Sequence, residues 1–508
     1  MVKSAAGAFI QAVHEGSEPL PQWARVYRAV RRAVDGGALL AGTRLPSARQ
    51  LARDWQVSRG AVDEAFAQLQ LEGLLERRVG DGTYVSTSLR PPQPGPQRQP
   101  RASTQPVLRL LRAISLPAAR RELARDTMRP LLLHPRGMPL DLFPLEAWRR
   151  LVAQAHDSSQ RSLLGGGPPG GLPALREAIA RHLALARGIA CSPEQVLVLS
   201  GPREGLSAMA AQLLRPRDLV ATEDPSHPSL QQLLALLGAR VHGVPLDEEG
   251  FRVADLRRHA DDARAVYLHP LSQYPLGLRT TAPRGQDLLA WAEQRQAWII
   301  EGHYNDEWVP RAQQPPTLFS RDRAERVLLL GTFEGVMFPS LRVGYLVLPK
   351  GLAPRFIANH ALRGERVPLG TQWAVAQFID GGLMSDHLLR VRADLGLRRT
   401  QVRAALLAAL PAAVRMGAMD TGAQVCLHLG QALKDTAVAE RLREHGVLVE
   451  PVSPMTESGT GANGIVLGYA GWELPRVLEA ICRVGQVLQQ MVPNSTGADR
   501  ASAVAPRG

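Results

Sequence analysis

The stretch 43–85, TRLPSARQLARDWQVSRGAVDEAFAQLQLEGLLERRVGDGTYV, constrains the chain more than any other. Ser47, with Gln50 three residues on and Leu51 behind it, carries the signature of a capping box opening a short helix. That helix runs to about Trp55, and Gln56-Val57 makes the turn. Ser58 then caps a second helix, in which Val62, Ala65, Phe66 and Leu69 fall at helical spacing. Gly73 stands where a left-handed residue ends a helix. Short strands at 74–78 and 83–87 flank Gly80-Asp81-Gly82, a hairpin turn. Upstream, Trp23, Val26, Tyr27, Val30 and Val34 form one apolar stripe, a preceding helix of the same module. Together these elements describe a winged helix-turn-helix over 20–87, whose last helix enters the major groove of DNA. The competing reading is a small αβ accessory domain.

In that geometry Ser58, Arg59, Gly60 and Ala61 stand at the N-terminal end of the recognition helix. Backbone N–H groups there favour a phosphate, and Arg59 reaches a phosphate or takes guanine bidentately. Arg44, Ser47 and Arg49 are placed to hold the backbone and set register. The wing adds Arg77, Arg78, Gly80, Gly82 and Thr83. The stretch resembles the GntR-type winged helix, whose pattern LPS-x-R-x-LA…VSR…A-x-x-x-L-x-x-EG…G-x-G-T-[FY]-V is nearly intact here. Related modules carry polar side chains at the positions of Gly60 and Ala61 and a basic residue near Asp63-Glu64. The departure implies weaker or different base reading, with more left to the wing and to DNA shape. Otherwise Asp63 and Glu64 are simply a solvated acidic face.

At 508 residues the chain is long enough for two or three domains. A net charge of +13 suits a polyanionic partner without proving one. Cys191, Cys426 and Cys482 are scattered and odd in number, so they read as reduced thiols, with no disulfide framework and no metal spacing. No apolar run reaches membrane-spanning length, the N-terminal extension 1–19 lacks an export signature, and the expected location is the cytoplasm. Residues 88–138 read as a basic, proline-rich linker followed by an amphipathic docking helix at 108–125. Nine arginines face two acidic residues across 91–140, so this segment either follows phosphates and adds salt-dependent affinity or is a solvated tether.

From 139 onward short apolar strands alternate with helical stretches. The strands fall at 196–199, 219–222, 241–244, 266–268, 298–300, 327–330 and 345–348, which predicts an α/β unit with a mostly parallel sheet. A large lobe is expected over 139–350, a smaller helix-rich α+β lobe over 351–492 and a disordered tail over 493–508.

Several segments of this unit, in order, resemble the fold-type I aminotransferases as they are fused to a GntR winged helix in MocR-type regulators. They include GGLPALREAIARHLALARGI at 170–189, VLSGPREGL at 198–206, EDPSHP at 223–228, HPLSQYPLG at 269–277, WIIEGHYNDEW at 298–308 and LLLGTFEGVMFPSLRVGYLVLP at 328–349. Such enzymes hold pyridoxal phosphate through a lysine imine and pair its ring nitrogen with a carboxylate. The resemblance puts Gly335 at the imine-lysine position, Glu334 at a preceding serine, and Gly302 at the ring-pairing aspartate. His269 replaces a threonine of the family's pattern. The chain has three lysines, Lys3, Lys350 and Lys434, and none stands near that site in sequence. A guanidinium stays protonated and is no substitute nucleophile. The expectation is a catalytically inactive domain with no covalent cofactor.

What the resemblance leaves is a remnant pocket: Gly201, Pro202 and Arg203 at a helix start, Arg342 at a phosphate-pairing position, and His227, Gln273, Tyr274, Gly302, His303, Tyr304, Glu334 and Gly335 around the ring. His303 is expected to reach a ring nitrogen, or else is simply packed. Glu334 either repels a phosphate or pairs with Arg342. The pocket accordingly either holds pyridoxal phosphate or another anionic ligand non-covalently, or is residual scaffold. The resemblance implies a homodimer on a two-part duplex operator, a small-molecule effector and no membrane partner. The alternatives are a regulator that keeps pyridoxal phosphate without the usual lysine, and a working aminotransferase.

Overall fold

Val26, Ala29, Val30 and Ala33 recur at helical spacing and bury one side of α1 (Gln22–Asp35) against the rest of its unit. In this computed structural model, residues 20–87, 132–364, 366–457 and 462–492 are described, and the chain divides into two compact units, Met1–Leu111 and Arg112–Gly508. The expected basic helix at 108–125, nearly all of the linker, the 1–19 extension and the 493–508 tail lie outside the described residues.

The first unit follows from its caps. Ser47 Oγ accepts the Gln50 N–H at 3.3 Å and starts α2 (Ala48–Asp54). Ser58 Oγ accepts the Ala61 N–H at 3.2 Å and starts α3 (Arg59–Leu71). Gly73, at φ +73°, turns the chain out of α3. β1 (Leu75–Arg78) and β2 (Gly82–Val85) pair antiparallel, with Arg78 opposite Gly82. Leu51, Val62, Leu69, Leu75 and Val85 close the core with α1.

The second unit is built on an eight-stranded sheet. Its strands are β3 (Val196–Leu199), β4 (Leu219–Asp224), β5 (Arg240–Asp247), β6 (Gly250–Phe251), β7 (Ala265–Leu268), β8 (Trp298–His303), β9 (Val327–Thr332) and β10 (Gly344–Val347). They lie in the order β3-β10-β9-β8-β7-β4-β5-β6. The five central strands β9, β8, β7, β4 and β5 run parallel, while β10 is antiparallel to both β3 and β9. Every predicted strand is present, within two or three residues at its ends. The strands are apolar almost throughout because helices cover both faces.

Helices α4 (Leu145–Ala155), α5 (Pro173–His182), α6 (Pro202–Leu213), α7 (Pro228–Leu236), α8 (Val253–His259), α9 (Ala282–Arg295), α10 (Leu318–Arg321), α11 (Ala353–Arg363), α12 (Leu369–Asp380) and α13 (Leu383–Ala409) supply that cover. Alternation along each strand decides which face a residue meets. Leu197, Leu199, Leu328, Leu330 and Leu346 pack with Leu206 and Met209 of α6 and Phe356 of α11. Val198, Leu329 and Tyr345 point the other way, toward α5, α12 and α13.

A second sheet, in the order β11-β12-β14-β13, is formed by β11 (Val414–Met416), β12 (Gln424–Leu429), β13 (Glu450–Pro451) and β14 (Gly464–Gly468). It packs with α14 (Asp435–Glu444) and α15 (Leu474–Met491). One apolar cluster runs from Val198 and Tyr345 of the large sheet through Leu406 to Ile465 and Ile481, so the two lobes share a core. One expectation is corrected here. Residues 132–138, assigned above to the linker, belong to the smaller sheet's edge. Leu132 bridges Val447, and the Leu133 carbonyl accepts the Gly468 N–H at 2.9 Å. Leu133 is 1% exposed, and burial of that apolar side chain overrides the polar, proline-rich character of the segment before it.

Candidate functional site

On the winged unit, Arg44, Ser47, Arg49, Ser58, Arg59, Gly60, Arg77, Arg78 and Gly80 are all exposed, and Gly82 and Thr83 are half-buried. Arg59 stands at the first turn of α3 with its side chain 60% exposed, and its Nε lies 3.4 Å from Asp63 Oδ2 one turn on. That partner was read from sequence only as part of a solvated face, although the i,i+4 spacing was the signal for it. Ala61 corrects an expectation: it is 6% exposed and belongs to the core side of α3. As the third residue after the cap it rotates inward, and Ser58 has already taken its amide. The outward face of α3 is therefore Arg59, Gly60, Asp63 and Glu64.

The wing is braced by its own side chains. Arg44 Nη2 donates to the Asp81 carbonyl, and Tyr84 Oη donates to Asp81 Oδ2 at 2.8 Å. The Arg78 guanidinium lies 4.3 Å from the Tyr84 ring centroid and donates to Glu76 at 2.6 Å. Gly80 and Gly82, at φ +82° and +133°, make the turn. A Cβ at Gly82 would meet Arg44 Nε at 3.2 Å, so the glycine lets the arginine lie across the wing.

In the second unit the predicted residues gather at the carboxyl ends of the parallel strands, where α/β sheets place ligands. Gly201, at φ +135°, is the N-cap of α6. Two backbone positions there have no amide to offer a ligand. Ser200 N–H donates to Glu204 Oε2 at 2.6 Å, and Pro202 has no N–H. Glu334 comes from the turn after β9, where its own N–H donates to Thr332 Oγ1 at 3.1 Å. Its carboxylate reaches the α6 N-terminus: a Cβ at Gly201 would lie 2.5 Å from Glu334 Oε1. Arg342 Nη1 is 3.7 Å from the same oxygen, so the predicted pairing is present. Burial pushes the Glu334 carboxyl up, against the pull of Arg342 and Arg203.

Gly335 is buried against Tyr304. A Cβ there would overlap the Tyr304 carbonyl oxygen and lie 2.7 Å from its carbonyl carbon. Burial raises the Tyr304 phenol, with Arg136 opposing and Glu334 adding to the effect. Next to Gly302 the space is filled as well, since a Cβ there would sit 2.7 Å from His269 Nε2 and 2.9 Å from Tyr267 Oη. His269 donates its backbone N–H to Glu223 Oε2 at 3.1 Å, and Tyr267 Oη is 3.1 Å from His269 Nε2. Glu223 is 2% exposed, and burial pushes its carboxyl up.

Of the two readings of His303, the structure bears out the packed one. Alternation on β8 turns Glu301 and His303 to the face opposite Gly302. There His303 Nε2 lies 3.2 Å from Glu301 Oε1, and its Nδ1 lies 3.7 Å from Asp306. The same side carries a buried charge network. His182 Nε2 is 2.9 Å from Glu307 Oε2, and Arg187 is 3.3 Å from Asp306. The histidine beside Gly302 is instead His269, which the sequence flagged only as a departure from a loop pattern. Gln273 is also committed internally, its amide donating to the Pro225 and Tyr274 carbonyls at 2.7 and 2.6 Å. Tyr274 Oη donates to Glu450, and the His227 ring lies 5.8 Å from the Tyr274 ring.

The lysines stay away from this cleft among the described residues. Because β10 runs antiparallel, it carries Lys350 toward the amino ends of the parallel strands, away from the cleft, and Lys434 is exposed at the start of α14.

Residues 22–85 match the gntR family of bacterial regulatory proteins, and residues 137–462 match the class I and II aminotransferases. The probable rhizopine catabolism regulatory protein MocR of Rhizobium meliloti is 31% identical over 96% of this chain and 98% of its own length. The HTH-type pyridoxine biosynthesis transcriptional regulator PdxR of Corynebacterium glutamicum is also 31% identical, over 91% of this chain and 97% of its own. The kynurenine aminotransferase of Pyrococcus horikoshii superposes with a TM-score of 0.68 at 21% identity, covering 76% of this chain and 96% of the enzyme, a likeness of fold. The winged module, the aminotransferase fold behind it and relatives that share both along nearly their whole length lead to one conclusion: this chain belongs to the MocR-type regulators of the GntR family.

Proposed function

We propose that this chain is a cytoplasmic, homodimeric, duplex-binding transcriptional regulator. Its aminotransferase-like unit serves dimerisation and effector sensing and performs no lysine-imine chemistry. The observation that carries the first half is Arg59, exposed at the start of a capped α3 beside Gly60. Arg44 and Arg49 supply positive charge along the same module for the phosphates. A homodimer would set two such modules on one two-part operator.

What supports the second half is the fit of the cleft to pyridoxal phosphate, which is poor at each of its three anchors. The anion seat at α6 faces Glu334, the lysine position is packed against the Tyr304 backbone, and His269 fills the space beside Gly302. A regulator holding pyridoxal phosphate without an imine would need an open anion seat.

Selection of duplexes from a random library by the full chain tests the first half. An enriched motif is expected, and Arg59→Ala is expected to weaken binding to it by about 1–3 kcal/mol at fixed salt. No enrichment, or unchanged affinity of the variant, would overturn this docking. For the second half, borohydride treatment after incubation with pyridoxal phosphate is expected to leave no pyridoxyl adduct within the cleft. A mapped adduct there would overturn the reading.

A further inference from the structure

We infer that Glu334 is a built-in anion: its carboxylate takes the seat at the α6 N-terminus that a phosphate monoester would take, and so excludes phosphorylated ligands from the cleft. The inference goes beyond the regulator reading, because it names the residue that decides ligand class.

Three separate observations converge on this side chain. Its Oε1 lies at the N-cap glycine of a twelve-residue helix, where oriented amides favour an anion. Glu334 is 9% exposed, and its Oε1 accepts no hydrogen bond among the described residues, so it meets the helix start through space and Arg342 rather than through an amide. Burial pushes the Glu334 carboxyl up, while Arg342, at 3.7 Å, and Arg203 pull the other way and favour its charged form. Two cations and a helix start thus meet one internal carboxylate instead of an external anion. A phosphate entering the same place would meet that negative charge at contact distance, in a partly buried setting where screening by salt is weak.

Two of the backbone positions at this helix start offer a ligand no donor. Ser200 N–H already serves Glu204, and Pro202 has no N–H to offer. A carboxylate presents two oxygens and a phosphate monoester three, so the larger acceptor would find fewer partners here.

The test titrates inorganic phosphate into the full chain by calorimetry at constant ionic strength. Wild type is expected to show no saturable site in the millimolar range. Glu334→Ser is expected to gain a site at least tenfold tighter than any wild-type signal, and adding Arg342→Ala to that variant should erase the gain. Glu334→Gln keeps the shape and removes the charge, so it covers the case in which the serine variant fails to melt cooperatively. Saturable phosphate binding by wild type at the affinity of the variants would overturn the inference. So would two cooperatively melting variants with no gain, or a gain that survives loss of Arg342. Duplex binding is measured in parallel, so a failed regulator reading is distinguishable from a failed anion seat.

Discussion

Substituting Gly335 by alanine tests whether the Tyr304 backbone closes this position, because open and closed space predict opposite signs. Gly335 does not sit at positive φ, so its backbone tolerates a side chain. In open space the change would stabilise the protein by about 0.4–1 kcal/mol, by restricting the unfolded chain. Here the new Cβ would overlap the Tyr304 carbonyl oxygen and approach its carbonyl carbon to 2.7 Å, well inside the roughly 3.5–4.0 Å of an ordinary carbon contact. The obstacle is backbone, so no rotamer change relieves it. Overpacking of this kind costs about 1–3 kcal/mol, and the upper half of that range is expected. At roughly 2 cal/mol/K per residue, a unit of this size loses on the order of 3–4 °C in Tm. Calorimetric or fluorescence melting of the full chain reads that directly. The companion variant Gly335→Lys returns the amine without returning the space, and it is expected to melt lower still and to form no borohydride-reducible adduct at that position. An alanine variant that melts at or above wild type would refute the steric argument. A lysine variant of normal stability carrying a mapped adduct at 335 would refute it more completely.

Asp63→Ala is expected to tighten duplex binding two- to threefold, roughly 0.4–0.7 kcal/mol, by freeing Arg59 from its i,i+4 partner and removing a negative charge from the outward face of α3. A gel-shift titration against the selected motif checks it, and unchanged or weaker binding argues against α3 as the reading helix. The buried pair His182–Glu307 predicts a pH dependence of stability. Burial raises both costs of ionisation, but the mutual attraction wins: the Glu307 carboxyl is held down to about 2, and the His182 imidazole is raised above its usual value. The glutamate's contribution is therefore present above its unfolded value near 4.3 and is lost as pH falls toward about 2. The histidine's contribution is complete below about 6.5 and is lost as pH rises through its higher folded value. Glu307→Gln should flatten the fall in Tm as pH rises above about 6.5 and lower Tm throughout, with a loss of about 3–5 kcal/mol for breaking a buried pair. An unchanged pH profile would show that this pair does not titrate in that range.

The local signals were sufficient for the winged module. Serine caps three residues before an amide in need, helical apolar spacing and a glycine turn are short-range physics, and Ser47, Ser58, Gly73 and Gly80 act as their types dictate. The strand-by-strand alternation of the larger unit was equally legible, because a strand buried on both faces must be apolar throughout. What the local pattern did not carry was facing. Ala61 looked available in a list of helix-start residues, yet the rotation of α3 about α1 buries it. His303 stood beside Gly302 in the chain, yet β8 sends adjacent side chains to opposite faces, which gave the place to His269 from another strand end.

The sequence by itself determined where the three lysines stand, at 3, 350 and 434, none of them near position 335 in the chain, and the proposal of no lysine-imine chemistry starts from that count. Only the tertiary structure decided what stands in the vacated places: the Tyr304 backbone against Gly335, the His269 ring against Gly302, and the Glu334 carboxylate at the start of α6. The reason is physical. Absence is a property of one position, whereas filling a space depends on which distant segments the sheet order brings within a few ångströms of each other.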